Sequence, residues 1–297
     1  MEAKRSKKAK APRFFLGLVF VMLTLYAVSL LLPFVWGLMA SLKSIDEFRL
    51  NILGIPKEWA FSNYPFVFSQ LKMPVTYANG ETAYYTVPYL LINSLIYVLG
   101  CAFLTTLVPC LMAYLNVKFK YRLNKVIYTI VLVTMILPIV GSLPSEIKVL
   151  KNLGLYDSII GILIMRSHFL GFYFLIFYAG FRTMPKEFAE AAYADGCSEW
   201  SLMVKIAFPL VRNTFFIVML IRGIEFWNDY QAPMLYIPSW PTLATGIFWM
   251  SQTNLNALSR VPMRLAASYM LMVPVLVLFV VFQNKLIGNL SMGGIKE

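Results

Sequence analysis

The chain has 297 residues, of which 59% are hydrophobic and 13% are charged, and its mean hydropathy is +0.69. Soluble domains carry about 45–50% apolar and about 25% charged residues, so this composition excludes an ordinary soluble domain. The net charge is +12. We attribute it to basic residues that set the orientation of the chain in the membrane and attract anionic lipid, and not to nucleic-acid binding. Three cysteines, Cys101, Cys110 and Cys197, have no spacing typical of a disulfide or a metal site.

Six apolar segments are long enough to cross a bilayer, which needs ~20 apolar residues. Because six such segments leave no soluble core in which they could be buried, the sequence predicts an all-α membrane protein with six transmembrane helices. The fifth segment is interrupted by charged residues. The predicted spans are Phe14–Met39, Val87–Leu115, Val126–Leu143, Ser158–Phe181, Thr214–Ile237 and Leu265–Ile287.

The first span follows a basic tail, residues 1–13, and this combination is also typical of a signal peptide. A signal peptide has an apolar core of about 7–15 residues. Phe14–Met39 is much longer, so it is interpreted as an uncleaved anchor, although Met39-Ala40-Ser41 would fit a cleavage site.

Basic residues next to spans tend to stay in the cytoplasm. The tail before the first span and the short second loop are both basic, so both termini are predicted to be cytoplasmic. The domain plan is a membrane domain at 14–287 with an outer loop at 40–86, which contains the turn pair Asn79-Gly80, and a C-terminal tail at 288–297. The basic residues are Lys4, Arg5, Lys7, Lys8, Lys10 and Arg13 in the tail, and Lys118, Lys120, Arg122 and Lys125 in the second loop.

A helix–turn–helix is predicted within the cytoplasmic loop at 182–213. Pro185 suits the first helical position, where its missing N–H costs nothing. Gly196 suits a left-handed helix stop, and Ser198 suits the N-cap of a second helix. We expect this second helix to end just before Pro209, because proline disfavours helical geometry in the preceding residue.

The helix pair has two alternative roles, docking to another protein or resting on lipid. Amphipathic helices that lie on lipid usually have a polar face rich in Lys and Arg. The first helix carries acids and short side chains instead, which favours docking to a protein: Glu187, Ala189, Glu190, Ala191, Ala192 and Ala194.

The same loop resembles the signature of binding-protein-dependent ABC importer permeases, which is Glu-Ala-Ala, three positions on Asp-Gly, and a downstream Pro-Leu. Here it reads Glu190-Ala191-Ala192-Tyr193-Ala194-Asp195-Gly196, then Phe208-Pro209-Leu210. The resemblance implies the type I ABC importer permease fold and a coupling helix that docks into a cleft of the ATP-hydrolysing subunit. The coupling residues that it implies are Glu187, Glu190, Ala191, Ala192, Asp195, Gly196 and Pro209.

Further segments resemble the carbohydrate branch of this family, and are similar to the smaller permease of the maltose importer. They are Asn63-Tyr64, Asn93-Ser94, Phe226-Trp227-Asn228-Asp229-Tyr230 and the Gly-rich tail Gly288–Glu297. The resemblance implies half of a translocation pathway for an oligosaccharide in a bacterial cytoplasmic membrane. The implied partners are a second permease, two ATPase subunits and an extracytoplasmic solute-binding protein. Two positions depart from the pattern, Asn213 where a second proline is common and Cys197 where alanine is usual.

The chain lacks the Gly-rich phosphate loop G-x-x-x-x-G-K-[ST] that an ATP-using protein needs. It also lacks a defensible nucleophile-and-base spacing, and His168 is its one histidine. We therefore expect no enzyme and no cofactor in this chain, with ATP and Mg²⁺ bound by a separate ATPase.

Charged residues inside spans usually face a bundle interior or a transport pathway. Arg222 and Glu225 are i, i+3 neighbours, and Asp229 follows at i+4 from Glu225, so one helical face is expected to hold all three. A structural ion pair and a role in the pathway are both open for Arg222 and Glu225. Asn228 and Trp227 could bond to and stack on a sugar. The candidate pathway residues are Arg166, His168, Arg222, Glu225, Trp227, Asn228 and Asp229.

Arg166 has no acidic residue within a helical turn. It is predicted either to line the translocation cavity, which would favour an acidic sugar, or to pair with an acid of the second permease. The rival function is an ion-coupled secondary transporter that uses Arg166, His168, Glu225 and Asp229 as a relay. The coupling signature argues against this alternative, because a self-sufficient transporter has no ATPase to dock.

Overall fold

The computed structural model describes residues 13–77, 79–119, 121–137, 141–253 and 257–290. Helices dominate the described residues. The elements in chain order are α1 (Arg13–Ser41), α2 (Ile45–Leu50), α3 (Asn63–Gln70), β1 (Lys72–Thr76), β2 (Thr82–Thr86), α4 (Val87–Lys118), α5 (Arg122–Ile136), α6 (Leu143–Asn152), α7 (Ile159–Arg166), α8 (Phe172–Arg182), α9 (Lys186–Ala194), α10 (Glu199–Leu202), a π-helical turn (Met203–Ala207), α11 (Phe208–Asn228), α12 (Gln231–Tyr236), α13 (Leu243–Gln252), a 3₁₀ turn (Ala257–Ser259) and α14 (Val261–Leu290).

The chain divides into two compact units. The first holds the described residues of Met1–Val67 and Leu255–Tyr269, and the second holds those of Phe68–Asn254 and Met270–Glu297. Among the described residues, four helices are long and apolar enough to cross a membrane: Phe15–Ser41, Val87–Lys118, Glu199–Asn228 and Val261–Gln283. Four of the six predicted spans therefore contain a continuous helix of spanning length.

The third and fourth predicted spans differ from the prediction. Helix α5 has 15 residues, fewer than the ~20 needed to cross a bilayer, and residues 138–140 of the predicted span lie outside the described residues. The fourth span is divided into α7 and α8 by a break at residues 167–171. Gly171 has φ 119° and ψ −170° in this break, a conformation open almost only to glycine. Six continuous spanning helices are therefore not confirmed.

The fifth predicted span also has different bounds. Helix α10, the π-helical turn and α11 form one helical segment from Glu199 to Asn228, so the predicted stop before Pro209 is wrong. A π-helical turn bonds i to i+5 and is wider than an α-helical turn. Because this turn ends two residues before Pro209, it accommodates a residue that has no N–H to donate and whose ring would crowd an α-helical carbonyl.

The expectation of an all-α fold is wrong in one short segment. In the predicted outer loop, β1 and β2 form a two-stranded antiparallel sheet in which Lys72 is paired with Thr86 and Thr76 with Thr82. Gly80 has φ 83° at the turn between the strands, a left-handed conformation that glycine adopts without strain. The turn expected at Asn79-Gly80 is confirmed.

Helix α4 is the central element of the second unit. It shares an apolar core with α5, α8 and the helical segment that includes α11. Aromatic rings fill this core, with the Tyr114 and Phe181 centroids 5.4 Å apart and those of Phe177 and Phe215 6.3 Å apart. The buried members are Cys110, Ala113, Tyr114, Val131, Phe174, Phe177, Phe181, Ala207, Val211, Phe215 and Val218.

Another core cluster of the same unit connects α4 with α6, α7 and α12. Tyr97 is 1% exposed and lies edge-on to Phe226, with ring centroids 5.7 Å apart. This cluster positions the end of α11 against α7, where the intramembrane charges predicted from the sequence meet. Its other buried members are Cys101, Ala102, Leu150, Ile162, Ala232, Tyr236 and Ile237.

In the first unit, the segment after α1 is organised by two buried polar side chains. Asn63 is 5% exposed, and its Nδ2 donates hydrogen bonds of 2.8 Å to the carbonyl oxygens of Ser41 and Lys43. The Lys43 side chain is itself fully buried, and its Nζ donates to the Asn51 carbonyl oxygen at 2.6 Å. These bonds hold the segment that follows α1 in place.

Replacing Asn63 with alanine should lower stability, because the carbonyls of Ser41 and Lys43 would lose a buried donor. Each buried acceptor left without a partner costs about 1–3 kcal/mol. We expect a lower thermal unfolding midpoint for the purified protein carrying Asn63→Ala. Asn79→Ala is the matched control, since Asn79 is exposed in the hairpin turn. Equal midpoints for Asn63→Ala and the unsubstituted protein would contradict this account.

Candidate functional site

Helix α9 lies in the loop predicted to couple transport to ATP hydrolysis. Its N-cap is Pro185, with φ −60° and ψ 139°, so this proline precedes the first helical position instead of occupying it. Glu187 lies in the first turn, where a carboxylate interacts favourably with the helix dipole. The helix start is therefore shifted by one residue from the predicted position.

The end of α9 is a Schellman motif. The N–H of Gly196 donates to the Tyr193 carbonyl at 3.0 Å, and the N–H of Cys197 donates to the Ala192 carbonyl at 2.9 Å. Gly196 has φ 76°, which confirms the predicted left-handed stop. The Ser198 hydroxyl then accepts from the Ser201 N–H at 3.3 Å, which confirms the predicted cap of the following helix.

The remaining candidate coupling residues divide by exposure. Glu187, Glu190, Ala191 and Asp195 are exposed on or just after α9, where a partner could contact them. Ala192 is 6% exposed and packs inward. Pro209 lies further on, inside the first turn of α11. The exposed members stay candidates for contact with a partner.

A polar contact that sequence reasoning missed anchors α9 to its neighbours. The Lys118 ammonium donates a hydrogen bond to the Tyr193 hydroxyl, which donates to Glu199 Oε1 at 2.7 Å. Lys118 Nζ also lies 3.8 Å from Glu199 Oε2. Tyr193 thereby connects α9 with the end of α4 and the start of α10, and no local sequence pattern joins these three positions.

Arg166 has an acidic partner within the chain. Its Nη2 lies 3.7 Å from Asp229 Oδ2, and the same carboxylate oxygen accepts from the Tyr97 hydroxyl at 2.9 Å. Asp229 Oδ1 accepts from the Ala232 N–H at 3.0 Å. The premise that Arg166 lacks an acidic partner in this chain is therefore wrong, because Asp229 lies far away in sequence but adjacent in the fold.

The pairing of Arg222 with Glu225 is confirmed. Arg222 Nη1 lies 2.6 Å from Glu225 Oε2, and the Arg222 guanidinium lies 5.0 Å from the centroid of the Tyr173 ring. Asp229 does not join this pair as expected, because it caps the end of α11 with an extended backbone. The two arginines thus belong to two separate charge clusters.

The other candidate pathway residues differ in accessibility. Trp227 is 9% exposed and its Nε1 donates to the Leu271 carbonyl at 2.8 Å, and its stacking on a sugar stays a prediction. Asn228 is exposed, and its Nδ2 donates to the Ile224 carbonyl at 2.9 Å. His168 is exposed in the break between α7 and α8, with Nδ1 3.2 Å from the Leu170 carbonyl oxygen.

A polar cluster near α6 was also missed by sequence reasoning. Glu146 accepts a hydrogen bond from the Tyr236 hydroxyl, and hydrogen bonds from Ser142 and then Tyr236 lower the pKa of Glu146. Asp157 Oδ1 accepts from the Ser239 N–H at 2.9 Å. These contacts fix α12 against α6 and α7.

Among the described residues, no group of three or more His, Cys, Asp or Glu side chains is placed to hold a metal ion.

Residues 105–288 match the family described as the binding-protein-dependent transport system inner membrane component. Similar proteins include the diacetylchitobiose uptake system permease protein NgcG of Streptomyces coelicolor, which is 26% identical over 96% of this chain and 90% of its own length. The arabinooligosaccharides transport system permease protein AraQ of Bacillus subtilis is 26% identical over 99% of each chain.

Solved structures include a similar chain from a bacterial ABC transporter involved in the import of the acidic polysaccharide alginate. It has a TM-score of 0.73 and 21% identity, and the match covers 96% of this chain and 99% of that one. This likeness shows a shared fold, which is that of a type I ABC importer permease. Because the family match also spans more than half of the sequence, the chain belongs to the family of binding-protein-dependent transport system inner membrane components.

Proposed function

We propose that this chain is a permease subunit of an ATP-driven importer and forms half of a translocation pathway for an oligosaccharide. The observation that carries the proposal is α9, an exposed helix that bears the Glu190-Ala191-Ala192 signature and ends in a fixed turn at Gly196. A transporter driven by an ion gradient has no need of such a surface. The family match across the same region supports this reading.

The similar proteins support an oligosaccharide as cargo. They are named for uptake of diacetylchitobiose, for transport of arabinooligosaccharides, and for import of melibiose, raffinose and stachyose. An acidic sugar would be favoured by an intramembrane arginine that has no acidic partner in the protein. Because Arg166 lies beside Asp229 and Arg222 beside Glu225, the intramembrane charges do not support a preference for a carboxylated sugar.

The proposed complex contains a second permease, two ATPase subunits that bind ATP and Mg²⁺, and an extracytoplasmic solute-binding protein. A further solved structure with a TM-score of 0.54 is an alginate transporter in complex with a pentasaccharide-bound periplasmic protein. In our proposal the chain lies in a bacterial cytoplasmic membrane with both termini inside. Helix α5 belongs to the third crossing, and α7 with α8 forms a broken fourth crossing.

We assign Arg166 and Asp229 a structural role within this pathway. Their contact connects the end of α7 with the residue that follows α11, next to the break at residues 167–171. The Arg222–Glu225 pair lies within α11 and neutralises a second intramembrane cation. His168 and Asn228 are the exposed candidates for contact with the passing sugar.

Substitutions in α9 should uncouple ATP hydrolysis without unfolding the chain. Glu190→Ala removes an exposed carboxylate, and Gly196→Val forces a β-branched residue into a left-handed conformation, which costs about 1–2 kcal/mol. We expect both variants to lose most of the stimulation of ATP hydrolysis by the substrate-loaded binding protein in the reconstituted complex. Glu58→Ala, at an exposed glutamate of the first unit, is the control. Full stimulation in both α9 variants would refute the docking role.

Labelling of cysteines in intact cells should test the proposed topology. Cys197, in the turn after α9, is expected to react only after the membrane is permeabilised, whereas an engineered Asn79→Cys should react with an impermeant maleimide from outside. In a variant that also carries Cys197→Ala, labelling at the engineered Asn79→Cys can be measured without a contribution from Cys197. Labelling of both positions from the same side would be incompatible with the six-crossing arrangement.

Breaking the Arg166–Asp229 contact should lower stability, and removing both charges should restore it. Asp229→Asn leaves the Arg166 cation partly buried without its acid, at an expected loss of about 1–3 kcal/mol, less than for a fully buried pair because both side chains are partly exposed. The double variant Arg166→Gln/Asp229→Asn should recover most of the unfolding midpoint and still support uptake. If Arg166→Gln alone abolishes uptake with no change in midpoint, Arg166 contacts the substrate.

A further inference from the structure

A large cavity lies beside α9, and among its lining residues only Glu190 has been assigned a function above. Its volume is about 1050 Å³, just above the range of about 300–1,000 Å³ typical of ligand sites. It is an open cavity between the C-terminal end of α4, the start of α5, the end of α8 and one face of α9. All of these elements belong to the second compact unit.

The lining of the cavity carries an excess of positive charge. Lys118, Lys125, Arg182 and Lys186 line it together with one acid, Glu190. Lys118 is engaged by Tyr193 and Glu199. The other three cations form no ion pair with any acid in the described part of the chain, so three unpaired cations face one carboxylate. A concave surface with this balance attracts an anion.

The uncharged lining is typical of a membrane interface. Tyr121, Tyr128 and Tyr178 contribute rings and hydroxyls to the cavity, and the Tyr128 and Tyr178 ring centroids are 4.9 Å apart. Tyrosine is enriched where headgroups meet hydrocarbon, because its ring is apolar and its hydroxyl is polar. The cavity thus combines cations with amphipathic rings.

An apolar stripe runs along α5 next to the cavity. Leu132 and Ile136 are 37% and 78% exposed. They follow Tyr128, which lines the cavity, at successive spacings of four residues, so all three lie on one side of the helix. An amphiphile could therefore place its charge in the cavity and its hydrocarbon along α5.

We propose that this cavity binds the phosphate headgroup of an anionic phospholipid, with the acyl chains along Leu132 and Ile136. Lys125, Arg182 and Lys186 donate to the phosphate oxygens, and arginine does so in a bidentate manner. Basic pockets between helix ends on the cytoplasmic side suit such headgroups. Because Arg182 ends α8 and Lys186 begins α9, a bound lipid would hold the joint between these helices and so the position of α9.

A free phosphate shares the headgroup's chemistry, so the experiment must separate the two. The chain is purified with its co-expressed partner subunits, delipidated, and titrated with phosphatidylglycerol or phosphatidylcholine while bound lipid is measured by native mass spectrometry. Inorganic phosphate is added as a competitor. The test variant is Lys125→Gln/Arg182→Gln. The matched control, Lys57→Gln/Lys148→Gln, removes two exposed lysines outside the cavity.

We expect phosphatidylglycerol to bind more tightly than phosphatidylcholine and to resist displacement by inorganic phosphate. The cavity variant should bind phosphatidylglycerol roughly 25-fold more weakly, at about fivefold for each cation removed, while the control stays within about twofold. If the double variant does not assemble, Lys125→Gln alone should show the fivefold loss.

Three results would overturn the proposal. Equal losses in the cavity variant and the control would mean that the lipid responds to overall charge. Displacement by inorganic phosphate would assign the cavity to a soluble anion. Binding with no preference between the two lipids, together with shielding of Lys125 from amine-reactive reagents only when the ATPase subunits are present, would make the ATPase the occupant.

Discussion

Hydrocarbon offers no hydrogen-bond partners, so every backbone amide and every charge that lies within a bilayer needs a partner from the protein itself. This constraint accounts for the irregular features of the helices. The π-helical turn at Met203–Ala207 precedes a proline that cannot donate an N–H. The break between α7 and α8 is flanked by polar groups, among them Arg166, which lies beside Asp229. Irregular backbone at membrane depth is tolerated where protein surrounds it.

The helical segment from Glu199 to Asn228 is continuous and connects the turn after α9 with the polar residues around Arg166. Its start is capped by Ser198, directly after the turn at Gly196, and its end is capped by Asp229 beside Arg166. A continuous helix transmits displacement along its axis, whereas two helices joined at a flexible stop would not. In the proposed importer, movement of α9 on the ATPase would therefore reach the polar residues at the far end of α11.

Local features of this structure could be predicted from the sequence. The stop at Gly196, the cap at Ser198 and the Arg222–Glu225 pair each depend on residues within one helical turn of one another, where spacing alone determines contact. The pair Asn79-Gly80 predicts the turn of the hairpin. The strands beside it were not predicted, because Pro74 in β1 is unusual within a strand.

Features that depend on tertiary packing could not be predicted. Asp229 approaches Arg166 only because α4, α7 and α11 pack around Tyr97. The hydrogen bond from the Trp227 indole to the Leu271 carbonyl could not be predicted either, because no local pattern links these two positions. The break before α8 contains only two polar residues, Ser167 and His168, within a long apolar stretch, so hydropathy predicted a continuous span.

The central claim is that ATP hydrolysis on a separate subunit drives an oligosaccharide through this chain. Uptake of labelled oligosaccharide into sealed proteoliposomes tests it most directly, with the binding protein outside, ATP inside, and proton and sodium gradients collapsed by ionophores. Our account predicts uptake that requires enclosed ATP, persists without ion gradients and is lost when α9 carries Glu190→Ala and Gly196→Val together. Uptake that continues without ATP and stops when the ion gradients collapse would contradict it.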